Sequence, residues 1–254
     1  MGDVRGAAHL RHGHRSVTAD TTVYVGRIER LHAVGVDHRI VTPDAVRQEY
    51  RVLAASYDRM WERYVRDSTA LALAEFPTAP ALRVLDIGCG TGVLLRRALD
   101  ADATRSAIGV DITMNMLRQA SQRLPNTVPL VCASGDAVPL RAASADLVVS
   151  TNALHYMRDP IEMLREAHRL LVPGGTVIVS DWCRDYGMMR ALDRVLRWVD
   201  AAHVATLNGE TLRQLLRDVG FENVRVSRRK IDRFWGLMTA TASRPRSDQV
   251  TAPR

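Results

Sequence analysis

The feature that most constrains this 254-residue chain is the segment LRVLDIGCGTGVLL at positions 82–95. Its first half alternates apolar residues up to an acidic residue, Asp86, as is typical of a buried parallel strand. Three glycines at alternate positions follow, Gly88, Gly90 and Gly92, and the apolar period of a helix comes next. A strand, a glycine turn and a helix in this order form the first unit of a doubly wound nucleotide-binding sheet. We therefore expect an α/β fold with its ligand at the carboxyl ends of the strands.

The spacing of these glycines narrows the class of ligand that the loop can bind. A dinucleotide-binding loop has the spacing Gly-x-Gly-x-x-Gly, whereas here the third glycine follows after a single residue and Asp86 precedes Gly88 by two positions. This arrangement resembles motif I of the class I S-adenosylmethionine (SAM)-dependent methyltransferases. The resemblance implies a SAM site lined by Asp86, Gly88, Gly90 and Gly92. In such a site the glycines let the backbone approach the ligand, and the carboxylate lies near a cationic group.

Further motifs of the same family follow in order up to residue 180. The run 106–111 predicts a second strand ending in Asp111, 19 residues after the third glycine. A carboxylate at this place accepts hydrogen bonds from ribose hydroxyls. A third apolar run, at 128–133, leads into another loop. By the resemblance, three more residues contact the cofactor: Ile112, Asp136 through the adenine amine, and Ala137 through its backbone amide.

Two more predicted strands place polar side chains beside the sulfonium of the cofactor. The runs 146–150 and 176–180 are apolar and indicate a fourth and a fifth strand. Methyl transfer mainly requires an aligned nucleophile and, where needed, removal of its proton. The candidate groups all follow these two strands: Asn152, His155, Tyr156, Asp181 and Trp182.

These candidates have different expected roles. His155 is our first choice for the general base, because an imidazole titrates near neutral pH; a structural histidine in the loop is the alternative. Asp181 is expected to orient a substrate hydroxyl or amine, and Asn152 to lie in the cofactor site.

An aromatic helix is predicted before the glycine loop. Thr-Pro-Asp at 42–44 is a helix-start signal, and apolar and aromatic residues then recur at intervals of three and four: Tyr50, Leu53, Tyr57, Met60, Trp61 and Tyr64. The segment resembles the N-terminal helical lid of this methyltransferase family, which helps to exclude water. Tyr57 is the candidate for contact with cofactor or substrate, with simple packing as the alternative.

The rest of the chain completes the predicted domain. We expect helices from Asp159 to about 171, at 186–203 and at 212–219, and the last strands at 221–227 and 234–240. The family's sheet has seven mostly parallel strands with the last one antiparallel, a Rossmann-like fold. The predicted organisation is a loosely ordered extension (1–41), the lid (42–76), the SAM-binding methyltransferase domain (77–242) and a tail (243–254).

Composition bounds the environment of the protein. Hydrophobic residues make up 46% of the chain, which excludes a largely disordered protein. No apolar run has the length of a membrane helix, and the start lacks the apolar core of a signal peptide. The three cysteines, Cys89, Cys132 and Cys183, have no framework spacing. They indicate a reducing cytoplasm and are read as small apolar residues.

The net charge of +7 invites a nucleic-acid interpretation, which we give little weight. Lys230 is the only lysine, and the arginines are spread along the chain, so a genomic bias towards arginine explains the charge more simply than a phosphate-binding face. Catalysis by a lysine is disfavoured because Lys230 lies at the end of a predicted strand. His9, His12 and His14 lack supporting carboxylates or cysteines, so we expect no bound metal.

Two other classes of function stay open, namely a methyltransferase that acts on nucleic acid or protein and a non-catalytic SAM-binding module. The motif after the fourth strand bears on the first of them. Amino-directed DNA methyltransferases and some RNA or protein methyltransferases of this fold carry Asn/Asp-Pro-Pro-Tyr/Phe after strand four. This chain has Thr-Asn-Ala-Leu-His at 151–155 and no Pro-Cys pair. The stretch resembles the small-molecule branch, which includes enzymes that methylate quinols, sterols and secondary metabolites.

We therefore predict a cytoplasmic SAM-dependent methyltransferase that acts on an O, N or C nucleophile of a small organic acceptor. The alternatives are an RNA or protein methyltransferase and a non-catalytic SAM-binding module. No membrane partner is expected, and the oligomeric state stays open, a homodimer included.

Overall fold

A computed structural model describes residues 57–199 and 203–246, together with Arg47, Tyr50 and Ala54. These residues form one seven-stranded sheet with helices on both faces. The strands are β1 (Arg83–Ile87), β2 (Ser106–Asp111), β3 (Leu130–Cys132), β4 (Ala145–Thr151), β5 (Leu171–Trp182), β6 (Glu222–Lys230) and β7 (Gly236–Ser243). The helices are α1 (Tyr57–Leu73), α2 (Val93–Ala101), α3 (Met114–Arg123), α4 (Pro160–Leu170), α5 (Gly187–Val199) and α6 (Gly209–Val219).

The sheet has the predicted doubly wound topology. Its strand order is β3-β2-β1-β4-β5-β7-β6, and β7 runs antiparallel to both of its neighbours. The prediction of a mostly parallel sheet with an antiparallel last strand is therefore confirmed. The strand order reverses between β1 and β4, and in open α/β sheets such a reversal opens a crevice at the carboxyl ends of the strands.

Alternating residues on the central strands cover both faces of the sheet. In β4, Leu147 and Val149 pack into one hydrophobic cluster with α2 and α3, whereas Val148 packs into a second cluster with α4 and α6. Since parallel strands buried on both faces read as nearly continuous apolar runs, the sequence pattern of this strand follows from its central position. A third cluster joins α1 to Trp182 and Leu237.

The glycine turn brings three parts of the chain close together. Gly88 has φ 80°, and a Cβ built on it would lie 2.6 Å from the Cβ of Ala153 in the loop after β4. Gly92 has φ 77°, and a Cβ there would lie 2.9 Å from Leu124 at the end of α3. These two glycines therefore permit close approaches that a side chain would prevent.

Several element boundaries differ from the predicted ones. The helix predicted for 186–203 ends at Val199, and His203 lies in irregular chain beyond residues 200–202, which fall outside the described part. β5 begins at Leu171, before the Pro-Gly-Gly segment, because Leu171 pairs with Ala145 and Gly175 bonds to Arg244.

The last strand also begins and ends later than predicted. Phe234 and Trp235 belong to the turn before β7, where both backbone amides donate to Asp232 Oδ1 at 2.7 and 2.6 Å. β7 continues to Ser243, which places the expected boundary at residue 242 inside the strand.

The N-terminal predictions are covered only in part. The extension 1–41 and most of 42–56 lie outside the described residues. The helix predicted within 42–76 is present as α1, which runs to Leu73.

A matched pair of variants tests the close approach at the glycine turn. Gly88 and Gly90 both have positive φ, but a Cβ on Gly90 would meet nothing within 4 Å. We expect Gly88→Ala to lower the free energy of unfolding by roughly 1–3 kcal/mol more than Gly90→Ala does. Both substitutions strain a backbone with positive φ, but only the new methyl group at position 88 clashes with a neighbouring side chain. Urea unfolding of both variants measures this, and equal losses would contradict the packing argument.

Candidate functional site

The glycine loop and the end of β2 form one half of the candidate site. Asp111 Oδ2 accepts the Gly90 amide at 2.9 Å, and its Oδ1 accepts the Thr113 amide at 2.8 Å. Burial raises the pKa of the Asp111 carboxyl, and the two backbone bonds oppose that rise. The carboxylate is therefore fixed in orientation, and each oxygen keeps a further lone pair for a ligand.

Asp86 is the most unusual acid of this half. Its side chain is 1% exposed, and neither carboxylate oxygen has a hydrogen-bond partner among the described residues. Burial, helped by the charge of Asp111, raises its pKa to about 8. Because an unpaired buried carboxyl is costly, its presence beside a glycine loop marks a functional site.

The remaining predicted cofactor residues lie around the same crevice. Ile112 directly follows β2 and is half-buried, and Asp136 and Ala137 lie exposed in the loop after β3. The backbone amide of Ala137 donates to the Ser134 carbonyl at 3.1 Å. That amide is therefore engaged within its own loop rather than open to a ligand.

The second half of the site is a cavity of about 310 Å³ at the carboxyl ends of β4 and β5. α1, α5 and the turn between β6 and β7 contribute to its wall. Most of its lining side chains are aromatic; the lining comprises Tyr50, Tyr57, Trp61, Tyr64, Asn152, His155, Tyr156, Trp182, Leu192, Leu196, Phe234 and Trp235.

A buried histidine–aspartate pair lies at this cavity. His155 Nδ1 is 2.6 Å from Asp181 Oδ1, and both side chains are at most 3% exposed. Because a carboxylate only accepts, Nδ1 carries the hydrogen and Nε2 is left as an acceptor. Nε2 has no hydrogen-bond partner among the described residues. The imidazole also stacks on Trp182, with centroids 4.0 Å apart and planes 12° apart.

The structure gives Asp181 a different position from the one expected. It accepts the backbone amides of Leu154, His155 and Trp182 in addition to the imidazole. It is not among the cavity-lining residues. Its bonds orient His155, and the expected contact with a substrate hydroxyl or amine stays a prediction.

Asn152 belongs to a hydrogen-bond relay beneath the lid helix. Trp182 Nε1 donates to the Tyr64 hydroxyl at 2.6 Å, which donates to Asn152 Oδ1 at 2.6 Å. Asn152 Nδ2 in turn donates to Ser68 Oγ at 2.9 Å. Burial is the main cause that raises the pKa of Tyr64, so its hydroxyl stays protonated as a donor. Asn152 thus lines the cavity and holds α1 through Tyr64 and Ser68.

The structure brings together some predicted residues and adds others. Tyr57, Asn152 and His155 all line the cavity, although the sequence analysis placed Asn152 in the cofactor site. Sequence reasoning missed Phe234 and Trp235, because they had been assigned to a strand.

The sequence analysis also assigned no functional role to His203. This residue is 3% exposed, with its Nε2 2.9 Å from Asp193 Oδ1 and its ring 5.8 Å from that of His155. No sequence signal links positions 193 and 203.

The described part of the chain shows neither a metal-binding cluster nor a membrane-spanning helix. No three His, Cys, Asp or Glu residues there come together as a metal-binding group. Within the same residues, every helix is too short or too polar to cross a membrane.

The matching family profile and two of the matching relatives are those of methyltransferases. Residues 47–226 match the profile of a family described as a methyltransferase domain. Malonyl-[acyl-carrier protein] O-methyltransferase of Marinomonas sp. is 35% identical over 153 residues, which are 56% of this chain and 56% of that protein. The chain thus matches little more than half the length of that relative. Demethylmenaquinone methyltransferase of Corynebacterium urealyticum is 29% identical over 206 residues, covering 71% of this chain and 84% of that protein.

Solved structures share the fold at low identity. The [4+2]-cyclase SpnF has a TM-score of 0.65 at 17% identity, covering 80% of this chain and 96% of its own. Phosphoethanolamine N-methyltransferase 2 of Haemonchus contortus, solved with phosphomonomethylethanolamine and S-adenosylhomocysteine, has a TM-score of 0.61 at 19% identity, covering 71% and 53%. A cyclase and a methyltransferase share this fold, so the fold alone does not decide the reaction.

The unpaired carboxyl of Asp86 makes stability depend on pH. Between the unfolded pKa of 3.8 and the folded value of about 8, the folded state holds a proton that the unfolded state has lost. Its contribution to stability therefore falls as pH rises through this window. We expect Asp86→Asn to become steadily more stable relative to the wild type from about pH 4 to pH 8.

Urea unfolding at several pH values tests this, with Asp100→Asn, at an exposed acid on α2, as the control for loss of a charge. A stability difference for Asp86→Asn that stays constant across the window would contradict the burial of an unpaired acid.

Proposed function

This chain belongs to the methyltransferase domain family, and from that premise we propose that it transfers a methyl group from SAM to a small organic acceptor. When bound, SAM supplies an electrophilic methyl group on a sulfonium. The observation that carries the proposal is that the candidate cofactor site and the aromatic cavity lie next to each other at the carboxyl ends of the strands. The glycine loop with its two acids lies beside an aromatic cavity that contains a buried histidine–aspartate pair.

The residues of the first half fit SAM. Asp111 is held by the Gly90 and Thr113 amides with lone pairs left for ribose hydroxyls. The buried, unpartnered carboxyl of Asp86 matches a cationic ligand, which would stabilise its ionised form. Around a Cβ position on Gly90 the space is empty to 4 Å, so that a ligand can approach the loop backbone. We propose that Gly88, Gly92, Ile112 and Asp136 complete this half, and we leave out Ala137, whose amide is bonded to the Ser134 carbonyl.

In the second half we propose His155 as the general base. Asp181 holds Nδ1 and thereby turns the unprotonated Nε2 into the proton acceptor. Trp182 stacks on the ring and stabilises the imidazolium formed when the proton is taken up. Asp181 is a positioning residue, because its contacts are with His155 and backbone amides. Tyr57 lines the cavity from the lid helix and is proposed to contact the acceptor.

The relatives support an acceptor of small-molecule type. The names of the matched proteins give malonyl-[acyl-carrier protein] and demethylmenaquinone as their acceptors. We place the protein in the cytoplasm, in keeping with its free cysteines at 89, 132 and 183.

Transfer of label from methyl-labelled SAM tests the proposal. Purified protein and a host extract would be incubated with the label and separated into small-molecule, RNA and protein fractions. The proposal predicts label in solvent-extractable small molecules. Label in RNA would contradict it, and so would label that stays in protein after thioester-bound acyl groups have been released. SAM binding without any transfer would contradict it as well.

Removal of the Asp111 carboxylate tests the cofactor half. We expect Asp111→Ala to weaken SAM binding at least about tenfold, because charge-assisted hydrogen bonds to the ribose are lost. Isothermal titration calorimetry measures the affinity, with Asp100→Ala as a surface-acid control. Unchanged affinity in a folded Asp111→Ala protein would remove Asp111 from the site.

Removal of the imidazole tests the acceptor half. We expect His155→Ala to lower turnover about 100-fold or more, as general-base loss typically does, while the affinity for SAM changes little. Steady-state rates across pH and SAM titration separate the two effects. A rate equal to that of the wild type at every pH would exclude His155 as the base.

A further inference from the structure

The turn after β3 is held in place by the neighbouring helix α4. Resting on the proposed function, we propose that Glu166 and Arg169 of α4 are positioning residues for the cofactor. They hold the turn that carries Asp136, and the site thereby selects adenine over a base that lacks an exocyclic amine. Both residues lie outside the glycine loop and outside the lining of the aromatic cavity.

Asp136 lies at the tip of a β-turn that projects from the edge of the sheet. β3, the strand before it, has 3 residues and pairs with β2 at the end of the strand order. The turn is closed by a backbone bond from the Ala137 amide to the Ser134 carbonyl at 3.1 Å, and Asp136 and Ala137 are both exposed. Because an exposed turn at a sheet edge has few bonds of its own, a neighbouring element must fix its conformation.

The first contact from α4 is a carboxylate. Glu166 Oε1 accepts the backbone amide of Val138, two residues after Asp136, at 2.8 Å. The Glu166 side chain is 11% exposed, and the hydrogen bonds from Arg169 hold the pKa of its carboxyl below the usual range. Glu166 is therefore an ionised acceptor at neutral pH, and a bond from an amide to an ionised acceptor is stronger than one between neutral groups.

The second contact from α4 is a guanidinium. Arg169 donates to the carbonyls of Val138 and Leu140 at 3.1 and 2.9 Å. It also donates to both carboxylate oxygens of Glu166 at 2.6 and 2.7 Å. The planar fork of an arginine can make these bonds at the same time, whereas the single ammonium of a lysine cannot. The amide and the carbonyl of Val138 are thus both bonded to α4.

Close packing anchors the chain on the other side of Asp136. A Cβ built on Gly135 would lie 2.7 Å from Cγ2 of Ile87 and 3.2 Å from Cε of Met157. Ile87 is the fully buried last residue of β1, so the backbone at Gly135 lies against the end of the strand that leads into the glycine loop. Asp136 is therefore bounded by a packing contact at residue 135 and by hydrogen bonds at residue 138.

A fixed turn makes the site selective for the base. In the proposed cofactor site the Asp136 carboxylate accepts a hydrogen bond from the exocyclic amine of adenine. A base with a carbonyl at that place offers no hydrogen, and the carboxylate would face another acceptor. A site built to bond one polar group rejects an analogue that lacks it, since its own polar group is left unpaired. A turn that could swing the carboxylate away would lose this selectivity.

The ratio of two dissociation constants tests the inference. Isothermal titration calorimetry gives the Kd of S-adenosylhomocysteine and that of S-inosylhomocysteine, in which hypoxanthine replaces adenine. We expect the wild type to prefer the adenine compound at least about tenfold, as the loss of a hydrogen bond to a charged group predicts. In Glu166→Ala this preference should fall below about threefold, because the turn is no longer held and the bond to Asp136 is weakened.

Two further variants separate positioning from a general loss of structure. Glu166→Gln keeps an oxygen that can accept the Val138 amide, so it should retain most of the preference for adenine. Glu210→Ala is the control, because Glu210 forms a Glu–Arg pair of the same i,i+3 spacing with Arg213 on α6. It should leave the preference unchanged.

The outcomes of these titrations also separate the inference from the proposed function. A wild-type preference for adenine that persists in Glu166→Ala would overturn the inference, and so would an equal fall in Glu210→Ala. Equal affinity of the wild type for the two compounds would overturn it as well and leave the proposed function intact. A wild type that binds neither compound would contradict both.

Hydrogen exchange followed by NMR tests the support of the turn without any ligand. In the free wild type the Val138 amide should exchange at least about 100-fold more slowly than an amide in an open chain, because it is bonded to Glu166. Arg169→Lys should speed this exchange, while the Arg96 amide, bonded to the Gly92 carbonyl at the start of α2, is the internal control. Exchange of the Val138 amide at the open-chain rate in the wild type would overturn the inference.

Discussion

The carboxyl group of Asp181 lies buried at the end of β5, where it accepts three backbone amides and the imidazole of His155. A buried carboxylate without hydrogen-bond donors would be very costly. The loop after β4 supplies such donors, because the backbone amides of Leu154 and His155 point towards the carboxylate. The same bonds fix the ring of His155 against Trp182. The position of His155, which we propose as the base, therefore follows from the hydrogen bonds that Asp181 requires, and this ring forms part of the lining of the aromatic cavity.

Helix α1 contacts both the glycine loop and the aromatic cavity. At its first turn Asp58 accepts the hydroxyl of Thr91 in the glycine loop at 2.7 Å and pairs with Arg123 of α3. Two turns later Tyr64 bonds to Asn152 and receives the indole N–H of Trp182. A single rigid element thus contacts both the glycine loop and the acceptor cavity, which suits a reaction that needs two ligands aligned and water excluded.

The fold was largely predictable because its signals are local. The run 106–111 forms a strand with the predicted bounds, and the glycine spacing marks the turn at Gly88. The set of residues that lines the acceptor cavity could not be predicted from the sequence, because it depends on contacts between distant segments. Trp235 lies next to Tyr64 only after the sheet has formed. Asp181 could be placed at a strand end, but its bonding to backbone amides of the loop after β4 has no sequence pattern.

A crystal structure of the protein with S-adenosylhomocysteine tests the central claim most directly, namely that the two halves form one methyl-transfer site. The account predicts ribose hydroxyls within hydrogen-bond distance of the Asp111 carboxylate and the sulfur facing the cavity beside His155. A ligand bound away from the glycine loop, or with its sulfur directed away from that cavity, would contradict it.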